Sequence, residues 1–340
     1  MSCDPQNALT LAINPDWLKA VQLAGVSLVL DNKEPFPDVM FEHSIAAAIS
    51  KVEHELDLWL QPQRVEGERH DYRYANDRRY MRLGLDHGPV WSVDKMSIRY
   101  GNVTDVELPL EWVVLRNWAN SEVELVPVGS TVRLPASLGV YHSGVFTFNL
   151  GASSQFFPSF FSFDYTAGFP AHCGEVVFTD AEIGAGPIVE DIVFDPAFFV
   201  ARYGVYVQIR DAAGELVGGM LVSDTNKTRQ GFRLTITQVT APDAGVYTLS
   251  WAALTLPSSI IQLVGIQAAL QALNIAGDII IGPGIASKST SVDGLSQNIN
   301  TTSSATNAGY GARVRQYERE YKTLLSSIKS EWRRVDVDGF

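Results

Sequence analysis

Six histidines, two cysteines and a surplus of carboxylates are the groups in this chain that chemistry would draw on. His43, His54, His70, His87, His142 and His172 fall at no metal-ligand spacing, and His54-Glu55 lacks the second histidine that a zinc-protease helix requires. His70-Asp71, inside ERHDY (68–72), is a neighbour pair in which a carboxylate could orient an imidazole for general-base work. Pairs of this kind more often sit in a turn with a satisfied polar network. The glycine-rich GDIIIGPGIASKST (277–290) fails as a phosphate loop, because Ser287 stands where a glycine must precede Lys288, and Pro283 spoils the dinucleotide fingerprint. No Gly-x-Ser-x-Gly elbow occurs. Cys3 and Cys173 are far apart in sequence and neither has an expected partner, which excludes a disulfide scaffold and a four-cysteine zinc site. The expectation is a protein that is not an enzyme and carries no cofactor or metal.

The chain is 340 residues long, room for about two domains, with 46% hydrophobic and 19% charged residues, the texture of a globular core. Its formal charge of −12 argues against a dedicated nucleic-acid binder, yet suits a surface that DNA must pass without sticking. Met1 to Trp17 shows no basic and apolar leader pattern. The most apolar run, Ile260 to Ile281, is interrupted by Gln262, Gln267, Gln271, Asn274 and Asp278, so no membrane span is expected. Synthesis in a reducing compartment follows as the expectation.

Several elements would have to position any site. In 38–60, Phe41, Ile45, Ile49, Val52, Leu56 and Trp59 recur at steps of three and four, so an amphipathic helix is expected, opened by Pro37-Asp38 and closed near Pro62. From about 63 to 170 short β-like runs alternate with turn residues: 90–101, 111–117, 122–129, 145–150 and 160–168. FFPSFFSF (156–163) reads either as a buried strand pair or as a loop whose phenylalanines meet another subunit. Residues 171–256 give six strands at sandwich spacing, and PDAGVYTLSW (242–251) has the Asp-x-Gly-x-Tyr pattern of an immunoglobulin-like tyrosine corner at Tyr247. A helix is expected over 258–276. A Ser/Thr/Asn/Gly-rich linker or extended arm should cover 282–309, and a second long amphipathic helix 310–334, spanning about 38 Å. Residues 313–334 carry seven basic and three acidic side chains, a net +4 against −16 on the remainder. A basic helix on an acidic body suits docking to an acidic partner or to another copy, although a solvated face is the plainer alternative.

NPDWLKAVQLAGVSL (14–28), the 38–60 helix, ERHDY, PVWSVDKMSIRYG (89–101), DYTAGF (164–169) and SVDGLSQNINTTSSATNAGYGARVRQYERE (291–320) together resemble the head-to-tail adaptor (connector) proteins of tailed bacteriophages. The likeness covers roughly 1–170 and 257–335, and DYTAGF and SVDGLS…GYGARV are its most specific parts. In that family DYTAGF leads quickly to the helix that here begins near Ser258. This chain instead inserts about 86 residues, which coincide with the six-strand module.

The resemblance implies an α+β fold: an adaptor core of helices and strands over 1–170 and 257–340, with an inserted immunoglobulin-like β-sandwich at 171–256. It further implies a structural virion protein of the phage neck. A ring, usually of twelve copies, would dock beneath the portal protein, extend the DNA channel and meet a neck or tail-terminator protein below. Double-stranded DNA would pass non-specifically, no membrane would be involved, and assembly would take place in the host cytoplasm. On this reading Arg313, Arg315, Arg319, Lys322, Lys329, Trp332, Arg333 and Arg334 are the portal-docking candidates. Phe156, Phe157, Phe160 and Phe161 are the intersubunit candidates. Two other classes stay in view. One is a surface or carbohydrate-binding protein stacking sugars on Tyr203, Tyr206 and Trp251; the other is a hydrolase using His70 and Asp71.

Overall fold

The alternating and aromatic runs between 63 and 170 resolve into antiparallel strands in a computed structural model. It describes residues 8–26, 28, 34–73, 82–99, 106–126, 139–142, 145–148, 156–198, 200–218, 220–240, 245–281, 287–292, 295–300 and 310–332. The protein is mixed α+β with several antiparallel sheets. Its chain divides into two units, one of residues 57–170 with 332–340, the other of 1–56 with 171–331.

In the 57–170 unit, strands β1 (Gln63–Arg73), β3 (Val90–Ile98), β4 (Val106–Leu108) and β9 (Phe156–Ala167) form a sheet in the order β1-β9-β3-β4. A second sheet has the order β2-β6-β5, from Arg82–Gly84, Glu122–Leu125 and Val113–Asn117, and β7 (Gly139–His142) pairs with β8 (Val145–Phe148). Central position explains why β9 is so aromatic. Phe160, Phe161, Phe163 and Tyr165 are all buried, in one core with Met96, Ile98, Trp112 and Val123. Each such side chain contributes about 1.5–3 kcal/mol of burial. Phe160 and Phe161 are 1% and 0% exposed, so the expected intersubunit role is corrected for both: they are this unit's own core. Phe156 and Phe157 lie on β9 by backbone, and their side chains are outside the described set.

β1 meets β9 through two irregularities, between Val65 and Glu68 and between His70 and Tyr72. A bulge leaves backbone groups out of the ladder, and each must find another partner. Gly67, at φ +68°, donates its N–H to Asp164 Oδ1 at 2.7 Å, and Ser159, at φ +52°, donates to Asp71 Oδ1 at 2.8 Å. Two aspartates are thus spent on two bulges. Gly168, at φ +111°, closes β9, its N–H donating to the Pro89 carbonyl at 2.7 Å.

In the other unit, six strands form two three-stranded sheets. β10 (Ala171–Thr179), β15 (Val246–Leu254) and β12 (Gly204–Arg210) take the order β10-β15-β12; β11 (Ile188–Val193), β14 (Gly231–Gln238) and β13 (Met220–Thr228) take the order β11-β14-β13. Their shared core, from Phe178, Phe194, Phe198, Tyr203, Phe232, Leu234, Tyr247 and Trp251, draws only on the module itself. Ala171 pairs with Leu254, so the two ends of the module are neighbours. The helix α1 (Ala8–Ala12) packs against β15, β12 and β10. Cys173 on β10 is disulfide-bonded. The expectation of partnerless cysteines is corrected at Cys173.

The helices of this unit follow their apolar periodicity. Asn14 caps α2 (Pro15–Trp17), accepting the Trp17 N–H at 2.8 Å, and a π-helical turn continues over Leu18–Gln22. The helix α3 (Asp38–Leu56) buries Phe41, Ile45, Ala48, Val52 and Leu56. A short α4 (Asp180–Ala185) belongs to the β-module and begins in a capping box from Thr179 and Glu182. The helix α5 (Ser258–Ile281) packs against α3, the π turn and α6 (Gly311–Glu331). By length and composition its Ser258–Gly277 stretch could cross a membrane, contrary to the sequence expectation, but 78% of it is buried inside the protein. That is how the core helix of a three-helix packing looks. Residues 287–292 and 295–300, expected as linker, form an antiparallel hairpin of β16 and β17 with Val292 opposite Leu295.

Candidate functional site

Adjacent residues of a strand point to opposite faces, while i and i+2 share one. On β1 this separates His70 from Asp71 and puts Glu68 beside His70. The Glu68 Oε1 and His70 Nε2 atoms are 2.5 Å apart. Asp71 is turned to the Ser159 N–H instead, so the candidate His70–Asp71 pairing is not formed: the carboxylate beside the imidazole is Glu68.

Glu68 sits at the centre of a polar knot. Its Oε1 also accepts the Asp86 N–H at 2.9 Å, and its Oε2 accepts the Tyr165 hydroxyl. Tyr165 Oη in turn accepts the His87 N–H at 3.2 Å, and the His87 ring stacks on Trp59. The edge of Phe163 backs the His70 ring. Only 7% of the Glu68 side chain and 14% of that of His70 is exposed, whereas Asp86 lies on the open side. Burial pushes the Glu68 carboxyl up, but the bonds from His70, Tyr165 and the Asp86 N–H outweigh it, leaving its pKa below the ordinary value. Burial, then the adjoining Glu68 carboxylate, pushes the Tyr165 phenol up, so it stays a donor. Removing one donor from such a buried carboxylate costs about 1–3 kcal/mol.

Glu68, His70 and Asp86 offer one nitrogen and two carboxylate ligand atoms, all within 4.8 Å of one another. Of these the sequence reading singled out only His70 for chemistry. The missed signal is the strand itself: an extended 63–73 makes Glu68 and His70 face-mates. Tyr165 and Asp86 come in through tertiary register, which no local pattern carries.

The basic helix is placed differently from residue to residue. Arg315, Arg319, Lys322 and Lys329 are exposed on α6, while Val314, Tyr317, Tyr321 and Ile328 are buried. Arg319 Nε donates to the Arg315 carbonyl at 3.2 Å. Arg313 is half-buried with its guanidinium 4.7 Å from the Tyr317 ring centre, so it serves packing more than docking. Tyr317 donates to the Gln22 carbonyl, and Tyr321 to Glu55 Oε2 at 3.0 Å. Trp332 belongs to the 57–170 unit, edge-on to Trp118 and to Phe169 at 6.2 and 5.2 Å. The indole is thus held by two rings of its own unit while staying partly exposed. Arg333 and Arg334 lie outside the described residues.

In the β-module, Tyr203 and Trp251 are each 7% exposed and belong to the core, and the Tyr203 hydroxyl donates to the Gly231 carbonyl at 2.8 Å. Tyr206 is half-buried. A sugar-stacking platform of the three is therefore not formed. No protein-family model matches this chain. No curated protein matches it either.

Proposed function

We propose that this chain is a structural virion protein of a tailed-phage neck, a head-to-tail adaptor. In this reading it forms a ring, dodecameric by the family habit, that docks beneath the portal and extends the DNA channel toward the tail. The observation that carries the proposal is the likeness of segments 14–28, 68–72, 164–169 and 291–320 to that family.

What the described motif residues do agrees with a structural protein. Asp164 fills a bulge, Tyr165 holds Glu68, Gly168 allows a close backbone approach and Phe169 joins an aromatic trio. Asn14 caps a helix, and Trp17 lies where a Cβ on Gly265 of α5 would be 2.6 Å from its ring. Each of these residues works on the fold. The 171–256 module reads as an immunoglobulin-like insert: second, fifth and fourth strands in one sheet match B-E-D, and the third and last match C-F. Tyr247 is buried on the last strand, where a tyrosine corner belongs. Paired ends at Ala171 and Leu254 suit an insertion into one connection.

The portal is the partner above, with Arg315, Arg319, Lys322 and Lys329 steering α6 onto an acidic surface. A neck or tail-terminator protein is the partner below. An acidic body lets double-stranded DNA slide past. Co-sedimentation of the purified chain with portal rings, followed by negative-stain imaging, tests the proposal. Rings on portal that dissolve as salt rises are expected. Absence of association at any ionic strength, or a virion reconstruction without this chain at the neck, would overturn it.

A further inference from the structure

We propose that Glu68, His70 and Asp86 form a binding site for a divalent transition-metal ion, zinc in the first instance. One imidazole nitrogen and two carboxylate oxygens are a donor set that Zn²⁺ accepts at about 2.0–2.2 Å, with water completing the coordination. Glu68 and His70 share a face of β1, and their ligand atoms already touch. Asp86 stands on the exposed side, its ligand atom within 4.8 Å of the others, and has to close toward the roughly 3.4 Å that separates two ligands of one tetrahedral zinc.

Two features go beyond mere proximity. Metal-bound carboxylates are normally held by outer hydrogen bonds, and here the Tyr165 hydroxyl holds the far oxygen of Glu68 while the His87 N–H fixes that hydroxyl. Phe163 backs the imidazole on its apolar side, and entry is from the Asp86 side. Binding replaces the proton between His70 Nε2 and Glu68 Oε1 by the cation; a neutral ring carries that proton on its own Nδ1 instead, and a charged ring releases one to solvent. The ion would pin β1 to the loop before β3, tightening the 57–170 unit. This site is independent of the neck assignment.

The experiment uses the full, untagged chain stripped with EDTA. It is titrated with Co²⁺ while the visible absorption is followed, then with Zn²⁺ by calorimetry. One saturable ion per chain is expected, with a Co²⁺ band that equimolar Zn²⁺ displaces. His70→Gln and Asp86→Asn should each weaken Zn²⁺ binding at least about 100-fold, and Tyr165→Phe about 10-fold, the usual loss for an outer-sphere partner. Absence of stoichiometric binding to the parent overturns the proposal. So does full affinity in Asp86→Asn, a change on the exposed loop that decides the matter even if His70→Gln fails to fold.

Discussion

Gly168→Ala isolates the backbone requirement inside DYTAGF. A Cβ at this position would lie 2.1 Å from the Gln61 carbonyl oxygen, 2.5 Å from its carbon and 2.9 Å from Pro62 Cα, all of them backbone atoms. No side chain can swing aside, so the main chain must move by about 1 Å, which overpacks at a cost of about 1–3 kcal/mol. Moving the 168 side instead strains the 2.7 Å bond from its N–H to Pro89. The φ of +111° adds about 1–3 kcal/mol for any residue with a Cβ. Together the substitution should cost about 2–6 kcal/mol, or roughly 8–24 °C in the melting of a unit of this size. Tryptophan fluorescence during urea and thermal unfolding reports on the right unit, because five of the seven tryptophans (Trp59, Trp91, Trp112, Trp118, Trp332) belong to it. Gly84→Ala, where an added Cβ meets nothing within 4 Å, is the control and should change stability by less than about 0.5 kcal/mol. A Gly168→Ala protein melting within about 2 °C of the parent would refute the reasoning.

Trp332→Ala should destabilise the 57–170 unit by about 2 kcal/mol, less than a fully buried tryptophan because the residue is partly exposed, as read by urea denaturation. The double change Arg315→Ala/Arg319→Ala should leave the melting temperature unaltered and weaken portal co-sedimentation at low salt; unaltered co-sedimentation would count against docking through α6. Asp71→Ala should cost about 1 kcal/mol through the Ser159 N–H alone. For His172, burial lowers the pKa against the Pro196 carbonyl and the Asp195 charge, so its contribution is complete above the unfolded value of about 6.5 and is lost as pH falls below it. The melting temperature should therefore drop between pH 7.5 and 5.5 by more in the parent than in His172→Asn, compared by calorimetry. Thiol titration of the denatured, unreduced protein should find no reactive sulfhydryl at Cys173, and one there would refute the disulfide.

What the sequence determined by itself was everything governed by a repeat shorter than about four residues. The stripe Phe41, Ile45, Val52, Leu56 makes a buried helix face, and Val314, Tyr317, Tyr321, Ile328 makes another, because 3.6-residue periodicity leaves an amphipathic chain few alternatives. The alternation Phe232, Leu234, Ile236 made one face of β14 core for the same kind of reason, and the module has the six strands expected of it. The pairing of β16 with β17 runs against a composition that reads as linker, although Asp293-Gly294 between two six-residue runs is a hairpin signal in the sequence. Tertiary structure alone decided the partners. A bulge shifts register without a trace in hydrophobic pattern, and the one between His70 and Tyr72 goes with the assignment of Asp71 to a backbone N–H, while the Glu68 carboxylate meets His70 by strand alternation in the regular stretch before it. Asp86 and Tyr165 reach the same carboxylate from 18 and 97 residues away, a meeting set by strand order. Trp332 likewise looked like an exposed anchor from the arginines beside it and is seated by Trp118 and Phe169, which only the folded chain brings near. Periodicity tells a residue which way to face; register and topology, which depend on the whole chain closing at once, tell it what it will meet.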